Sequence, residues 1–186
     1  MPSSLHDLLA TISPLSDALK ERLQAIVKTY VYKKKSHLLK EGQTCRQIYF
    51  IESGLVRVYY LKEGIELCSG LLNEGGLVIS VHSFFNRTPS YEFIQAIEET
   101  CVQFITYEEL ESLYRDFPEF NVIGRKLITA YYIASEDRNY LLRKQSAQEK
   151  FRFFQDHYGH LLARVPRKDI ASYLGITLET LSRLGY

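Results

Sequence analysis

Arg167, Thr177, Glu179, Thr180, Ser182 and Arg183 are the densest set of recognition-capable side chains in this 186-residue sequence. An arginine can give two parallel hydrogen bonds to guanine, a glutamate accepts from the cytosine amino group, and hydroxyls reach bases or phosphates. The residues around them say how they are held. Pro166 suits the first position of a helix, where its missing N–H costs nothing, and Ile170, Ala171 and Leu174 then share one stripe. Gly175 stops that helix, because glycine reaches a left-handed backbone cheaply. Thr177 caps a second helix with Leu181 and Leu184 facing inward. Two short helices about a glycine turn make a helix-turn-helix, whose second helix lies in the DNA major groove. The same spacing also fits a helical hairpin with no role in DNA binding, so the rest of the chain has to decide.

Composition sets the bounds. At 46% hydrophobic residues the chain can build a real core. No apolar run approaches membrane-spanning length and the N-terminus has no signal-peptide pattern, so no membrane partner is expected. Cys45, Cys68 and Cys101 are scattered, fitting neither a disulfide framework nor a zinc motif; they read as small buried apolar residues of a cytoplasmic protein. The net charge of +1 excludes a globally basic nucleic-acid binder. From Lys144 onward, however, Lys150, Arg152, Arg164, Arg167, Lys168 and Arg183 join it to outnumber Glu149, Asp156, Asp169 and Glu179, the local basic surface that phosphate contact requires. Such an excess is also what a solvated face looks like.

The elements that would position these residues follow from periodicity. Residues 4–29 read as helical in two stripes separated by Pro14. From Tyr30 short β-branched and aromatic runs alternate with Gly42, Gly54, Gly64 and the pair Gly75-Gly76, and further strands lie near 93–97 and 102–106. Strands spaced in this way predict a double-sheet β-roll or jelly roll. A short helix over 107–114 and a long one over about 117–144 come next. In the long helix Ile123, Leu127, Ala130, Ala134 and Leu141 step as a coiled-coil seam, interrupted by Asp137 and Arg138. That seam is a plausible homodimer contact; the alternative is that it packs on its own β-roll. Ser146 to Glu149 is a capping box opening the next helix, with Phe151, Phe154 and Tyr158 or Leu161 as its core face.

The order β-roll, long helix, helix-turn-helix resembles the Crp/Fnr family of bacterial transcription regulators, and the resemblance covers nearly the whole chain. Its most specific stretches are IYFIESGLVRVYY at 48–60 and RVPRKDIASYLGITLETLSR at 164–183. The resemblance implies an α+β fold: N-terminal helices, a double-stranded β-helix (jelly-roll-like) sensor domain over 1–116, a dimerisation helix over 117–144, and a winged-helix-type DNA-binding domain over 145–186. By position in the motif, Glu179 and Arg183 would read base edges and Thr180 would touch backbone. Leu178 stands where other residues are usual, which alters sequence preference. Double-stranded DNA and a second copy of the chain are the implied partners, with RNA polymerase and an unidentified small-molecule effector as further candidates.

Two departures from the family pattern matter. Cyclic-nucleotide-binding members carry Gly-Glu and, about ten residues later, Arg-Ser or Arg-Thr, which hold ribose and cyclic phosphate. Here Ile79-Ser80 and Ser90-Tyr91 stand at those places and Arg87 comes three residues early. Tight binding of cyclic AMP is therefore not expected. Ser80, His82, Ser83, Arg87, Ser90, Tyr91 and Glu92 are the candidate polar lining for another effector, unless Phe84, Phe85 and Tyr91 plug the cavity. The second departure is at the end. The recognition helix stops at Gly185-Tyr186, short of the family's wing, so the reader is expected to be incomplete.

Other chemistries find little support. The three cysteines are not clustered for iron–sulfur, His37 and His82 are lone residues without the setting of a haem ligand, and the strands are too poor in histidine for a metal-dependent cupin. The expectation is a non-enzyme with no cofactor, metal or catalytic residues. The alternative function is a cyclic-nucleotide-fold ligand-binding or interaction module without DNA-binding activity.

Overall fold

The computed structural model describes residues 2–144 and 146–186. Residue 145, where the third domain was expected to begin, and the side chain of Lys144 lie outside the described residues. Two N-terminal helices, α1 (Leu5–Ile12) and α2 (Asp17–Ile26), are capped by the hydroxyls of Ser4 and Ser16. Leu5, Leu9, Leu19, Leu23 and Ile26 are buried against the sheets. The helical reading of 4–29 overran its end, because Lys28–Tyr32 pairs as strand β1 with a later strand.

Seven more strands follow: β2 (His37–Leu39), β3 (Gln47–Ser53), β4 (Leu55–Lys62), β5 (Ile65–Asn73), β6 (Leu77–Val78), β7 (Phe93–Ala96) and β8 (Thr100–Thr106). They form two four-stranded antiparallel sheets, ordered β1-β8-β3-β6 and β2-β7-β4-β5. The chain crosses between sheets at Gly54, where φ is +101° and a Cβ would stand 2.6 Å from the Glu99 carbonyl oxygen. Only glycine fits that corner. Phe50, Ile51, Val56, Ile94 and Val102 fill the space between the sheets. Between β6 and β7 lies α3 (Val81–Asn86), a helix too short to show a stripe in the sequence.

Helix α4 (Tyr107–Asp116) opens with a Thr106–Glu109 capping box and leads into the 27-residue α5 (Pro118–Lys144). The expected seam of α5 is divided along its length. Ile123 is buried in the β-roll core and Leu127 packs against it, Ala130 and Ala134 are exposed, and Leu141 is buried again. Between them Ile128, Tyr132, Ile133 and Tyr140 remain exposed.

Helix α6 (Ala147–Tyr158), a 3-10 turn (Gly159–Leu161), α7 (Arg167–Tyr173) and α8 (Leu178–Arg183) complete the chain. Phe151, Phe154, Leu161, Ile170, Leu174 and Leu181 form a second core, which also takes in Leu55, Cys68 and Leu71 of β4 and β5. The C-terminal helices thus pack directly on the outer face of the second sheet.

Candidate nucleic-acid interface and effector cavity

The turn between α7 and α8 is built as its sequence suggests. Gly175 has φ +62°, its N–H donates to the Ser172 carbonyl, and the Ile176 N–H donates to that of Ala171. This pair of bonds is a Schellman ending. Pro166 lies one place earlier than expected, as the residue capping α7 rather than its first turn. The Thr177 hydroxyl accepts from the Thr180 N–H at 3.1 Å and starts α8, while Leu181 is fully buried and fixes which face points out.

That outward face carries the recognition set. Arg167, Thr177, Glu179, Ser182 and Arg183 are exposed and Thr180 is half-buried. Arg167 donates to the Ser182 hydroxyl at 3.0 Å, joining the start of α7 to α8, and Thr177 and Thr180 meet through their hydroxyls at 3.0 Å. The Glu179 carboxyl is held low by the backbone N–H and the Thr177 hydroxyl at the helix start, with a smaller pull from Arg183.

Two other basic residues of this segment point the opposite way, toward the β-roll. Arg164 makes a bidentate pair with Glu74, at 2.7 and 3.1 Å, and also bonds Glu98. Its hydrogen bonds pull the Glu74 carboxyl down to about 2. Lys168 reaches Glu66 at 3.1 Å. Behind it lies a buried cluster: Arg57 of β4 donates to Asp169 of α7 at 2.8 Å, to Glu66 at 2.9 Å and to Gln95 at 2.9 Å. Burial works against the Arg57 charge, but Glu66 and Asp169 outweigh it and hold the proton more firmly than usual. The Ser172 hydroxyl accepts from the Cys68 N–H at 2.8 Å and ties α7 to β5.

A cavity of ≈ 550 Å³ lies where the second sheet, the start of α3, the C-terminal half of α5 and helices α6 and α7 meet. Of the seven residues expected to line it, His82, Tyr91 and Glu92 do so. Ser80 and Ser90 are buried behind them; the Ser80 hydroxyl donates to Glu92 at 2.9 Å and lies 3.0 Å from that of Ser90. Ser83 and Arg87 are engaged elsewhere. The Ser83 hydroxyl accepts from the Cys45 N–H, and Arg87 bonds the Cys45 carbonyl with its guanidinium over the Tyr107 ring. Phe84 is fully buried in the β-roll core and Phe85 is half exposed; neither lines the cavity, whereas Tyr91 does. Burial raises the Glu92 pKa, against the Ser80 hydrogen bond and the nearby His82.

Sequence reasoning missed the opposite wall: Tyr131, Asp137, Arg138 and Asn139 of α5 with Tyr158 and Tyr173. The one signal available was the pair Asp137-Arg138, which interrupts an otherwise apolar seam. Among the described residues no group of three or more His, Cys, Asp or Glu is arranged to hold a metal ion, and no helix is long and apolar enough to cross a membrane. Cys45 and Cys68 are buried and Cys101 is partly exposed.

Residues 30–117 match the cyclic nucleotide-binding domain family. The fumarate and nitrate reduction regulatory protein of Yersinia pestis is 31% identical over 160 residues, which is 79% of this chain and 63% of that protein. The solved structure of FixK2 from Bradyrhizobium japonicum superposes with a TM-score of 0.72 at 25% identity, over 86% of this chain and 82% of that one. The chain is similar to Crp/Fnr regulators in sequence and in fold. The chain also shares its fold with a protein from Eubacterium rectale described as a Crp/Fnr transcriptional regulator, at TM-score 0.71 and 19% identity over 91% and 82% of the two chains. These relatives are regulators rather than enzymes. The match spans 63% of the length of the Yersinia pestis relative.

Proposed function

We propose that this chain is a homodimeric, cytoplasmic DNA-binding transcription regulator of the Crp/Fnr family, divided into a sensor (1–116), a dimer helix (117–144) and a reader (145–186). The observation that carries this reading is helix α8, anchored by buried Leu181 and presenting Glu179, Ser182 and Arg183 to solvent. The exposed stretch of α5 around Ile128, Ala130, Tyr132 and Ala134 would supply the self-contact, and paired α8 helices would read half-sites about one DNA turn apart. RNA polymerase is the further partner this reading implies. Ser80 and Ser90 bond each other and Glu92 where a cyclic phosphate would need cations, so the effector is not cyclic AMP; micromolar binding of cyclic AMP would overturn that part.

The test is an anisotropy titration against a random-sequence duplex pool at two salt concentrations, with bound DNA sequenced. A two-fold-symmetric motif and affinity falling steeply with salt are expected, since each phosphate contact releases counterions. A second reading, a sensor module without DNA activity, is favoured by one observation: Arg164 and Lys168 are committed to sensor carboxylates. Absence of sequence enrichment would select it.

A further inference from the structure

The α5 wall of the cavity carries a cation whose hydrogen bonds are not filled. Arg138 stacks its guanidinium 3.8 Å from the centre of the Tyr173 ring and donates from Nη2 to the Tyr173 carbonyl at 3.1 Å. Its Nη1 is shut off from solvent and has no hydrogen-bond partner, the one such side-chain atom found among the described residues. A guanidinium carries five donors and keeps its charge, so a buried, unanswered nitrogen costs free energy until an acceptor arrives.

The other charged groups on the cavity do not supply that acceptor. Glu92 is hydrogen-bonded to Ser80, and burial raises its pKa, so it takes up a proton more readily than an exposed glutamate. Asp137 and His82 are exposed. The remaining surface is largely aromatic and aliphatic, with Tyr91, Tyr131, Leu71, Val78 and Leu141 around a volume that suits one small organic molecule.

We propose that the cavity binds an amphipathic organic acid, its carboxylate answered by Arg138 and its apolar body laid against Tyr131, Leu71 and Val78. This deepens the reading of the chain as a ligand-sensing regulator and rests on it. Arg138 lies on α5, apart from the 79–92 segment where a cyclic phosphate was expected. Arg138 also holds Tyr173, the last residue of α7. A carboxylate on Arg138 therefore acts one residue contact away from the helix-turn-helix, and it shifts the reader to whatever extent it favours one packing over another.

The probe is 2-naphthoate, titrated calorimetrically into the whole chain beside its neutral amide, without DNA. The acid is expected to bind once per chain and the amide about ten- to a hundred-fold more weakly, the range for one charge-assisted hydrogen bond. Arg138→Gln is expected to bring the acid down to the affinity of the amide. Arg138→Lys, which keeps the charge and loses the planar fork, falls between them and carries the test if the glutamine variant does not fold. Equal binding of acid and amide, undiminished binding by both variants, or no binding of either compound at millimolar concentration would each overturn the proposal. Because no DNA is present, a failed duplex selection removes the regulator reading without touching this result, and the reverse holds as well.

Discussion

Two arginines reach helix α7 from outside the helix-turn-helix, Arg57 from the second sheet and Arg138 from α5, and they differ in what answers them. Arg57 donates to Asp169, Glu66 and Gln95, so its buried charge is neutralised and its fork is occupied. Arg138, which lines the cavity, has one carbonyl and one ring face, and a buried nitrogen without a partner. A buried ion pair adds little net stability over an apolar contact, yet removing one member leaves an uncompensated charge. Helix α7 is thus fastened to the second sheet on one side by a saturated network. On the other side it is held by an unsaturated contact, where a ligand can still contribute binding energy. The difference separates a fixed joint from an adjustable one within a single seven-residue helix.

The largest effect should come from breaking the saturated side. Arg57→Met leaves Asp169, whose side chain is 7% exposed, buried without a partner. A loss of about 3–5 kcal/mol is expected in urea unfolding. The double variant Arg57→Met with Asp169→Leu should recover most of it, because both charges then go together. A cost below about 1 kcal/mol for the single variant would mean that Asp169 finds water or another donor and that Arg57 is no lock.

A smaller effect tests the outer member of the same joint. Glu74 is held at about 2, chiefly by the Arg164 hydrogen bonds, against an ordinary value of 4.5. The folded value lies below the unfolded one, so the pair stabilises above about pH 4.5 and loses that contribution as pH falls toward 2. Both side chains are about a third exposed, so screening reduces the gain to about 1 kcal/mol. Glu74→Gln should cost that much at neutral pH and flatten the acid limb of a melting-temperature profile between pH 4.5 and 2. An unchanged acid limb would assign the pH dependence to other carboxylates.

The two sides of α7 also differ in how far the sequence disclosed them. The helix-turn-helix was legible because its signals are local: Gly175, Thr177 and Leu181 act within a few residues of one another. The β-roll was legible from the glycine-punctuated strands, whereas β6 and α3 are shorter than any period that could reveal them. Of the cavity only His82, Tyr91 and Glu92 were legible from 80–92, because the motif concentrates its polar residues there. The rest comes from 58–81 and from 131–141 and beyond, and sequence separation hides which helix face closes over which strand. Arg57 read as part of a hairpin motif and Asp169 as an acid diluting a basic segment; their pairing spans 112 residues and has no local trace. Arg164 and Lys168 read only as part of a basic surface, because charge alone does not say which side of a helix meets protein.

The smallest expected effect belongs to the unsaturated side, and it is the most discriminating. Arg138→Met removes one charge-assisted bond to the Tyr173 carbonyl, worth about 1.5–3 kcal/mol, and a stacked contact worth about 0.5–1 kcal/mol. It also removes a partly buried charge with an unanswered nitrogen, whose relief is of similar size and opposite sign. The two nearly cancel, and the methionine stem keeps contact with the Tyr173 ring. The urea midpoint should therefore move by no more than about 1 kcal/mol, against 3–5 kcal/mol for Arg57→Met. If Arg138→Met instead costs 3 kcal/mol or more, the unfilled nitrogen is outweighed by packing. Arg138 would then be a second structural anchor of α7, and the contrast between a fixed and an adjustable side would collapse.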